Sequence, residues 1–368
     1  MPDAASNPAL EQIATQVLTK TLRLRRGQCV LIDAWTHMMP WAQAFVLSAR
    51  RLGIRPTVLY EDEATYWRSV ESARAEDVGA FPEPERAALS KTDGFVFLWG
   101  PEDRPRLRAL PKKVNQALTG YNGAWYQTAA KAKIRGCRIE FGQATAPAAR
   151  LHGVDLGSWR NELLEASLVD PLLLQKEAAR LAGRLKKGKR LTIHHANGTH
   201  LELALVGRAP VVDDGIVAPE DVRTGNNMTS IPAGAVYVAV DERTADGLFV
   251  ANRTSFPTSG PTQGGRWTME GGRLTQFTYG DGLERFQAAY DAAGRAKDRP
   301  GFVSIGLNPR LHLCPGLEDF ERGTLLFGIG ANGSFGGKNP PPFQAWLGLA
   351  GAHLDVDGRP LVADGEIL

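Results

Sequence analysis

The residues best equipped for chemistry lie in the second half of the chain. His194, His195 and His200 stand close together, and neutral imidazole is the commonest protein metal ligand. The segments Leu191 to His195 and His200 to Leu205 flank Asn197-Gly198, a pair that tolerates positive φ and predicts a tight hairpin. Successive strand residues face opposite ways, so His194 and His195 cannot serve one ion without a bulge, and ordinary strand histidines are expected. His353 and Asp355 fall on one face of an extended segment, where they could hold an ion or orient a general base. Asp357-Gly358 then predicts a turn. Cys314, in Leu313-Cys-Pro-Gly, would be a nucleophile only if His312 or His353 activated it; a buried, inert thiol is the simpler expectation. Glu318, Asp319 and Glu321 gather before Gly323 with Arg322 among them. Such a cluster could line a cationic pocket, although carboxylates this close are expected to stay solvated at a helix end or loop.

The first half of the chain carries a different pattern. Leu10, Ile13, Ala14, Val17 and Leu18 recur at helical spacing, and Gly27 leads into the apolar run Cys29 to Ile32. A second helical stripe, Ala42, Phe45, Val46, Ala49 and Leu52, closes at Gly53, and Thr57 to Tyr60 and Phe95 to Trp99 read as further strands. Apolar strands alternating with amphipathic helices predict a Rossmann-like parallel sheet covered on both faces. No G-x-G-x-x-G follows a strand, so no dinucleotide is expected. A helical pattern from Trp159 to Leu185, interrupted near Pro171, ends in the basic stretch Lys186 to Arg190. That stretch is the expected boundary between an α/β domain, 1–187, and a mixed, β-rich α+β domain, 188–368. Glycine and proline punctuate the second domain, as in Ser259-Gly-Pro-Thr, Gly264-Gly265, Gly336-Gly337 and Pro340-Pro-Pro342, so short strands and tight loops are expected there.

Bulk properties restrict the function classes. With 368 residues, 43% hydrophobic and 23% charged, two ordinary globular cores are expected, and no apolar run reaches membrane-spanning length. The polar opening Met1 to Pro8 lacks the pattern of a secretory signal. Three cysteines, Cys29, Cys137 and Cys314, suit reduced thiols rather than a disulfide framework; a cytoplasmic location is expected. The net charge is +3, and basic clusters at Arg104 to Lys113 and Arg184 to Arg190 read as solvated faces. No nucleic-acid-binding motif accompanies them.

Five stretches resemble the aminopeptidase T, or thermophilic leucyl aminopeptidase, family of two-metal peptidases. Asn197-Gly-Thr-His-Leu is similar to its N-G-T-D-L, and Ile231-Pro-Ala-Gly-Ala-Val-Tyr to its I-P-A-G-E-V-Y. Ser304-Ile-Gly-Leu-Asn-Pro resembles G-I-G-x-N-P, and Glu318-Asp-Phe-Glu-Arg-Gly-Thr-Leu-Leu-Phe-Gly-Ile-Gly resembles E-D-E-x-x-G-T-x-H-I-x-x-G. Phe335-Gly-Gly-Lys-Asn with Pro342-Phe-Gln-Ala-Trp resembles a segment ending in H-x-D. The resemblance implies metal ligands where this chain has Ala235, Phe302 (Gly301 if the register slips), Leu326, Gln344 and Trp346.

A cocatalytic metal pair needs a bridging carboxylate and further carboxylate and imidazole donors, which these residues do not supply. The resemblance therefore implies the scaffold, and a homodimer, without metal or other cofactor. A peptide-like or amino-acid-like ligand is expected at the five positions, with the protein acting as a non-catalytic partner in a pathway or as a tailoring or biosynthetic enzyme. Two alternatives stay open. One is an active metallo-aminopeptidase with ligands relocated to His353, Asp355, Glu318 and Glu321; the other is a cysteine-dependent hydrolase using Cys314.

Overall fold

In a computed structural model, residues 7–256, 261–312 and 314–368 are described. Residues 1–6, 257–260 and 313 lie outside the described residues, and with them Ser259 and Gly260 of the expected Ser259-Gly-Pro-Thr loop. By its internal contacts the chain forms two compact units, one of residues up to 172 with 215–232, the other of 173–214 with 233–368.

The first unit is built on five parallel strands. Numbered along the chain, they are β1 (Cys29–Trp35), β2 (Arg55–Glu61), β3 (Gly94–Phe97), β4 (Arg135–Ile139) and β8 (Met228–Ile231), in the order β2-β1-β3-β4-β8. The central strands are near-continuous apolar runs because helices cover both faces. Val30, Leu31, Ile32, Phe95 and Val96 are all 1% exposed or less. Edge strand β2 leaves Val58 and Tyr60 exposed.

The first expected helix starts at Pro8, where the Asn7 side chain accepts from the Ala9 N–H, and its register widens to a π-helical turn over Val17–Thr21. The second, Met39–Arg51, buries Trp41, Ala42, Phe45 and Ala49. The long helical pattern is two helices, Leu156–Ser167 and Pro171–Lys187, and Pro171 opens the second as a first-turn proline can.

Strand β8 has no counterpart in the sequence reading. Residues 215–232 lie beyond the expected boundary at 187/188, yet they return to the first unit and complete its sheet, pairing Gly136 to Ile139 with Met228 to Ile231.

The second unit holds two antiparallel sheets. The larger comprises β5 (Arg190–His194), β6 (His200–Ala204), β10 (Ala245–Val250), β11 (Arg266–Glu270), β12 (Arg273–Thr278), β16 (His353–Val356), β17 (Arg359–Ala363) and β18 (Glu366–Ile367), ordered β12-β11-β10-β6-β5-β16-β17-β18. Its β5–β6 hairpin is the expected one, with Gly198 at φ +97° and His194 paired to His200. The smaller comprises β7 (Val211–Asp213), β9 (Ala235–Ala239), β13 (Pro300–Gly306), β14 (Leu325–Gly330) and β15 (Gln344–Leu349), ordered β15-β14-β13-β9-β7. Phe249, Trp267 and Phe327 meet in the core, with ring centroids 5.6 and 5.9 Å from Phe327.

Candidate functional site

The smaller antiparallel sheet carries all five positions at which the resemblance implied ligands. Trp346, Gly328, Phe302 and Ala239 form one cross-strand row, and Gly348, Leu326, Ser304 and Tyr237 form the next but one. Gln344 lies opposite Gly330, and Ala235 lies between Gly306 and Asp213. Directly opposed residues share a face and alternate residues along a strand return to it. Ala235, Phe302, Leu326, Gln344 and Trp346 therefore occupy one face of one sheet, although 111 residues separate the first from the last.

Glycines let other groups close over this face. A Cβ on Gly328 would fall 2.1 Å from the Phe302 ring, and one on Gly306 would fall 2.0 Å from the Glu321 carbonyl. The first contact explains how Phe302 lies across its neighbour strand. The second shows why the acidic segment can sit directly on β13. That segment is tied down by the Asn308 N–H to the Phe320 carbonyl (2.8 Å), the Arg322 N–H to the Asn308 carbonyl (3.1 Å) and the Gly323 N–H to the Gly306 carbonyl (2.9 Å). Asn308 also holds the Pro232-Ala-Gly turn, donating from Nδ2 to the Ala233 carbonyl at 2.9 Å. Gly234, at φ +135°, leaves no room there for a Cβ, which would meet the Asn308 nitrogen at 2.9 Å.

The acidic cluster is not solvated as expected. Glu318 and Glu321 are 5% and 7% exposed, because each has found a specific partner. Arg253 clamps Glu321 through two hydrogen bonds of 2.7 and 3.1 Å. Glu318 Oε1 accepts from the Trp346 indole N–H at 2.8 Å and from the Phe256 N–H at 2.9 Å. Its Oε2 is buried without a direct hydrogen-bond partner among the described residues, with the backbone N–H groups of Gly316 and Glu318 also acting on the carboxylate. Asp319 accepts from the Tyr237 hydroxyl. The Tyr237 ring stacks on Phe335 at 4.7 Å, and Phe335 also meets Phe302 at 4.5 Å.

These surroundings set the protonation states. Burial, reinforced by the Glu318 charge, pushes Asp319 up to about 7. Burial also raises Glu318, against the stabilising Trp346 and Phe256 N–H groups. Tyr237 is held far above its ordinary value by burial and by Asp319, so its hydroxyl keeps its proton and donates it to the carboxylate.

Of the five positions, Ala235, Phe302 and Leu326 are at most 3% exposed and form the floor, whereas Gln344 and Trp346 are half-buried. Gln344 donates to the Ala331 carbonyl at 2.6 Å. The donor set does not suit a metal pair: three of the five side chains offer only carbon, Trp346 is an N–H donor, and Gln344, which donates to Ala331, adds a single neutral amide oxygen. Among the described residues, no group of three or more His, Cys, Asp or Glu is placed to hold a metal ion.

The pair His353 and Asp355 lies elsewhere, on β16 in the larger sheet, not with the five positions. His353 stacks on His194 at 4.6 Å and pairs with Asp364 at 2.9 Å, while Asp355 lies 3.7 Å from His194. His195 is turned aside, its Nδ1 accepting from the Asn197 N–H. Glu318 and Glu321, the other relocated-ligand candidates, are engaged by Trp346 and Arg253. Cys314 is 1% exposed, which shields its sulfur from substrate.

Sequence reasoning missed Arg253 and Phe335 as site residues. Phe335 opens the Phe335-Gly-Gly-Lys-Asn stretch that resembles the family, whereas nothing local marks Arg253.

The fold has close counterparts among solved structures. Wild-type AmpT from Thermus thermophilus superposes with a TM-score of 0.73 at 18% identity, covering 98% of this chain and 99% of that one. A 2,5-dihydroxypyridine dioxygenase from Pseudomonas putida gives 0.62 at 16% identity, covering 98% and 96%. No family model matches the sequence, and no curated protein sequence does. The likenesses establish an aminopeptidase-like mixed α/β fold. Activity does not follow from it, because one fold hosts unrelated chemistries.

Proposed function

We propose that this protein is a metal-free relative of the aminopeptidase scaffold that binds a peptide-like or amino-acid-like ligand on the aromatic face of its smaller antiparallel sheet. The observation that carries the reading is Glu318: a buried carboxylate held through Oε1 by Trp346 and Phe256, with no direct partner for Oε2 among the described residues, next to Asp319, which joins it to the Tyr237, Phe335 and Phe302 rings. An unpaired buried acceptor is costly, and a ligand ammonium or amide N–H would satisfy it. The aromatic rings would take up an apolar side chain and offer a cation an attractive face. The same arrangement serves a non-catalytic pathway partner or a tailoring enzyme, with a homodimer as the assembly.

Calorimetric titration of chelator-treated protein with amino-acid amides and short peptides tests the reading. Ligands with aromatic or large aliphatic side chains are expected to bind, and Glu318→Gln is expected to weaken them about tenfold, on the order of 1.4 kcal/mol. A panel in which only small polar compounds bind would overturn it. So would protein purified without chelators that carries about two equivalents of metal per chain, the number a cocatalytic site needs, and cleaves amino-acid anilides. That result would restore the relocated-ligand alternative.

A further inference from the structure

The first unit has a solvent-open cleft of about 420 Å³ lined by Arg23, Arg25, Gln28, Arg135 and Pro219, of which Arg23, Arg25 and Pro219 are exposed. We infer that this cleft is a binding site for a phosphorylated small molecule, with Arg23, Arg25 and Arg135 as the phosphate-recognition set.

Charge is the first argument. Three guanidiniums surround one space, no carboxylate lines it, and among the described residues none of the three arginines forms a salt bridge. Many other arginines of the chain do, including Arg208, Arg253 and Arg322. Asp93, the acid that acts on Arg135, is already engaged, accepting from the Cys29 N–H at 2.7 Å and from Gln28 Nε2 at 2.9 Å. The like charges are close enough to act on one another: Arg135 is drawn below its ordinary value, first by burial and further by Arg23 and Arg25, with Asp93 opposing. A bound oxyanion would relieve that repulsion.

The groups are also positioned. Arg135 opens β4, and its guanidinium donates to the Arg23 carbonyl at 3.2 Å, which fixes its direction while its other N–H groups remain. Arg23 itself has φ +51°, a left-handed conformation uncommon for a residue with a side chain. Gln28 is held from both ends, since Oε1 accepts from the Arg25 N–H at 2.8 Å and Nε2 reaches Asp93. Planar guanidiniums offer paired N–H donors that match phosphate oxygens.

Size and place complete the assignment. The volume lies in the range of small-molecule sites, roughly 300–1,000 Å³, so it holds a phosphate together with the body it is attached to. Pro219 is the lone apolar side chain in the lining, which favours a polar body such as a sugar. Arg23, Arg25 and Gln28 precede β1, Arg135 opens β4, and Pro219 opens the short helix Pro219–Thr224 that leads into β8. The cleft therefore sits at the amino ends of the parallel strands, away from the carboxyl-end crevice where such sheets usually bind ligands.

Calorimetry and thermal denaturation with inorganic phosphate, pyrophosphate, a sugar phosphate and adenosine monophosphate, all at matched ionic strength, provide the test. Saturable binding is expected, tighter for a phosphate ester than for inorganic phosphate, together with a raised melting temperature. Arg135→Gln is expected to weaken binding at least tenfold and Arg25→Gln severalfold. Arg68→Gln, an equal charge change on an exposed helix of the same unit, should leave it unaltered. If Arg135→Gln alone lowers the melting temperature of the free protein, the Arg25→Gln titration decides. The inference is overturned if no phosphate compound binds saturably, or if Arg68→Gln weakens binding as much as the lining variants do.

Discussion

Glu318 shows how one residue can define a site. Its Oε1 takes two N–H donors and its Oε2 takes none among the described residues, so the environment favours a ligand that donates. The neighbouring Asp319 titrates near 7 because burial and the Glu318 charge both oppose its ionisation. An ammonium-bearing ligand should therefore bind more tightly as pH rises from about 5.5 to about 7.5, as Asp319 ionises and before the ligand's α-ammonium, with an ordinary pKa of about 8, loses its proton. Titration at both pH values checks this, and Asp319→Asn is expected to flatten the dependence. In the first unit, burial lifts Asp33 from 3.8 to about 8, with Glu85 and Glu61 adding to the shift. A carboxyl raised on folding stabilises the native state fully below its unfolded pKa, and that contribution is lost as pH rises through the folded value. Stability should thus decline between about pH 4 and pH 8. Asp33→Asn should raise the melting temperature at pH 9 by on the order of 2–4 °C and have little effect at pH 5, as thermal denaturation at the two values would show.

Strands and tight connections decide whether the candidate site can assemble. On the site face of the smaller sheet, Gly306, Gly328, Gly330 and Gly348 stand among the five positions, and at Gly328 a side chain would collide with Phe302. Gly328→Ala is expected to destabilise the protein by about 1–3 kcal/mol, the usual result of overpacking a core. The double variant with Phe302→Leu should regain part of that loss, because the smaller side chain clears the contact; denaturant titrations of the single and double variants would show the coupling. Gly323 is stricter, since at φ +74° a Cβ would lie 1.6 Å from the Gly365 carbonyl. Backbone cannot rotate aside as a ring can, so Gly323→Ala should be the more damaging change in the same titrations.

At the scale of the whole molecule, chain order and compact units do not coincide. Residues 215–232 return to the first unit, and β8 completes its parallel sheet beside β4. A fragment ending at residue 187 would expose the β4 edge, and open strand edges invite association. Such a fragment is expected to aggregate or to unfold without a cooperative transition. A fragment in which residues 215–232 are joined to it by a flexible linker should melt cooperatively, and circular dichroism with size-exclusion chromatography distinguishes the two.

Much of this architecture was written in local pattern. The helical stripes of the first unit, the runs at Cys29 to Ile32 and Phe95, and the Asn197-Gly198 hairpin follow from periodicity and turn chemistry, which act within a few residues. The glycine and proline framework, Pro232-Ala-Gly234 and Gly306-Leu-Asn308, also marked where the chain must come close to itself. Tertiary structure alone decided what meets there. No spacing rule joins Arg253 to Glu321 or Trp346 to Glu318, and nothing in Met228 to Ile231 announces that it crosses back to a distant sheet. The acidic cluster read as solvated because like charges repel; it is buried because a guanidinium, an indole and a phenol from other strands and loops reach it. Hydrogen bonding and burial depend on which surfaces the completed fold brings together, and that is settled by the sum of many weak contacts rather than by any one segment.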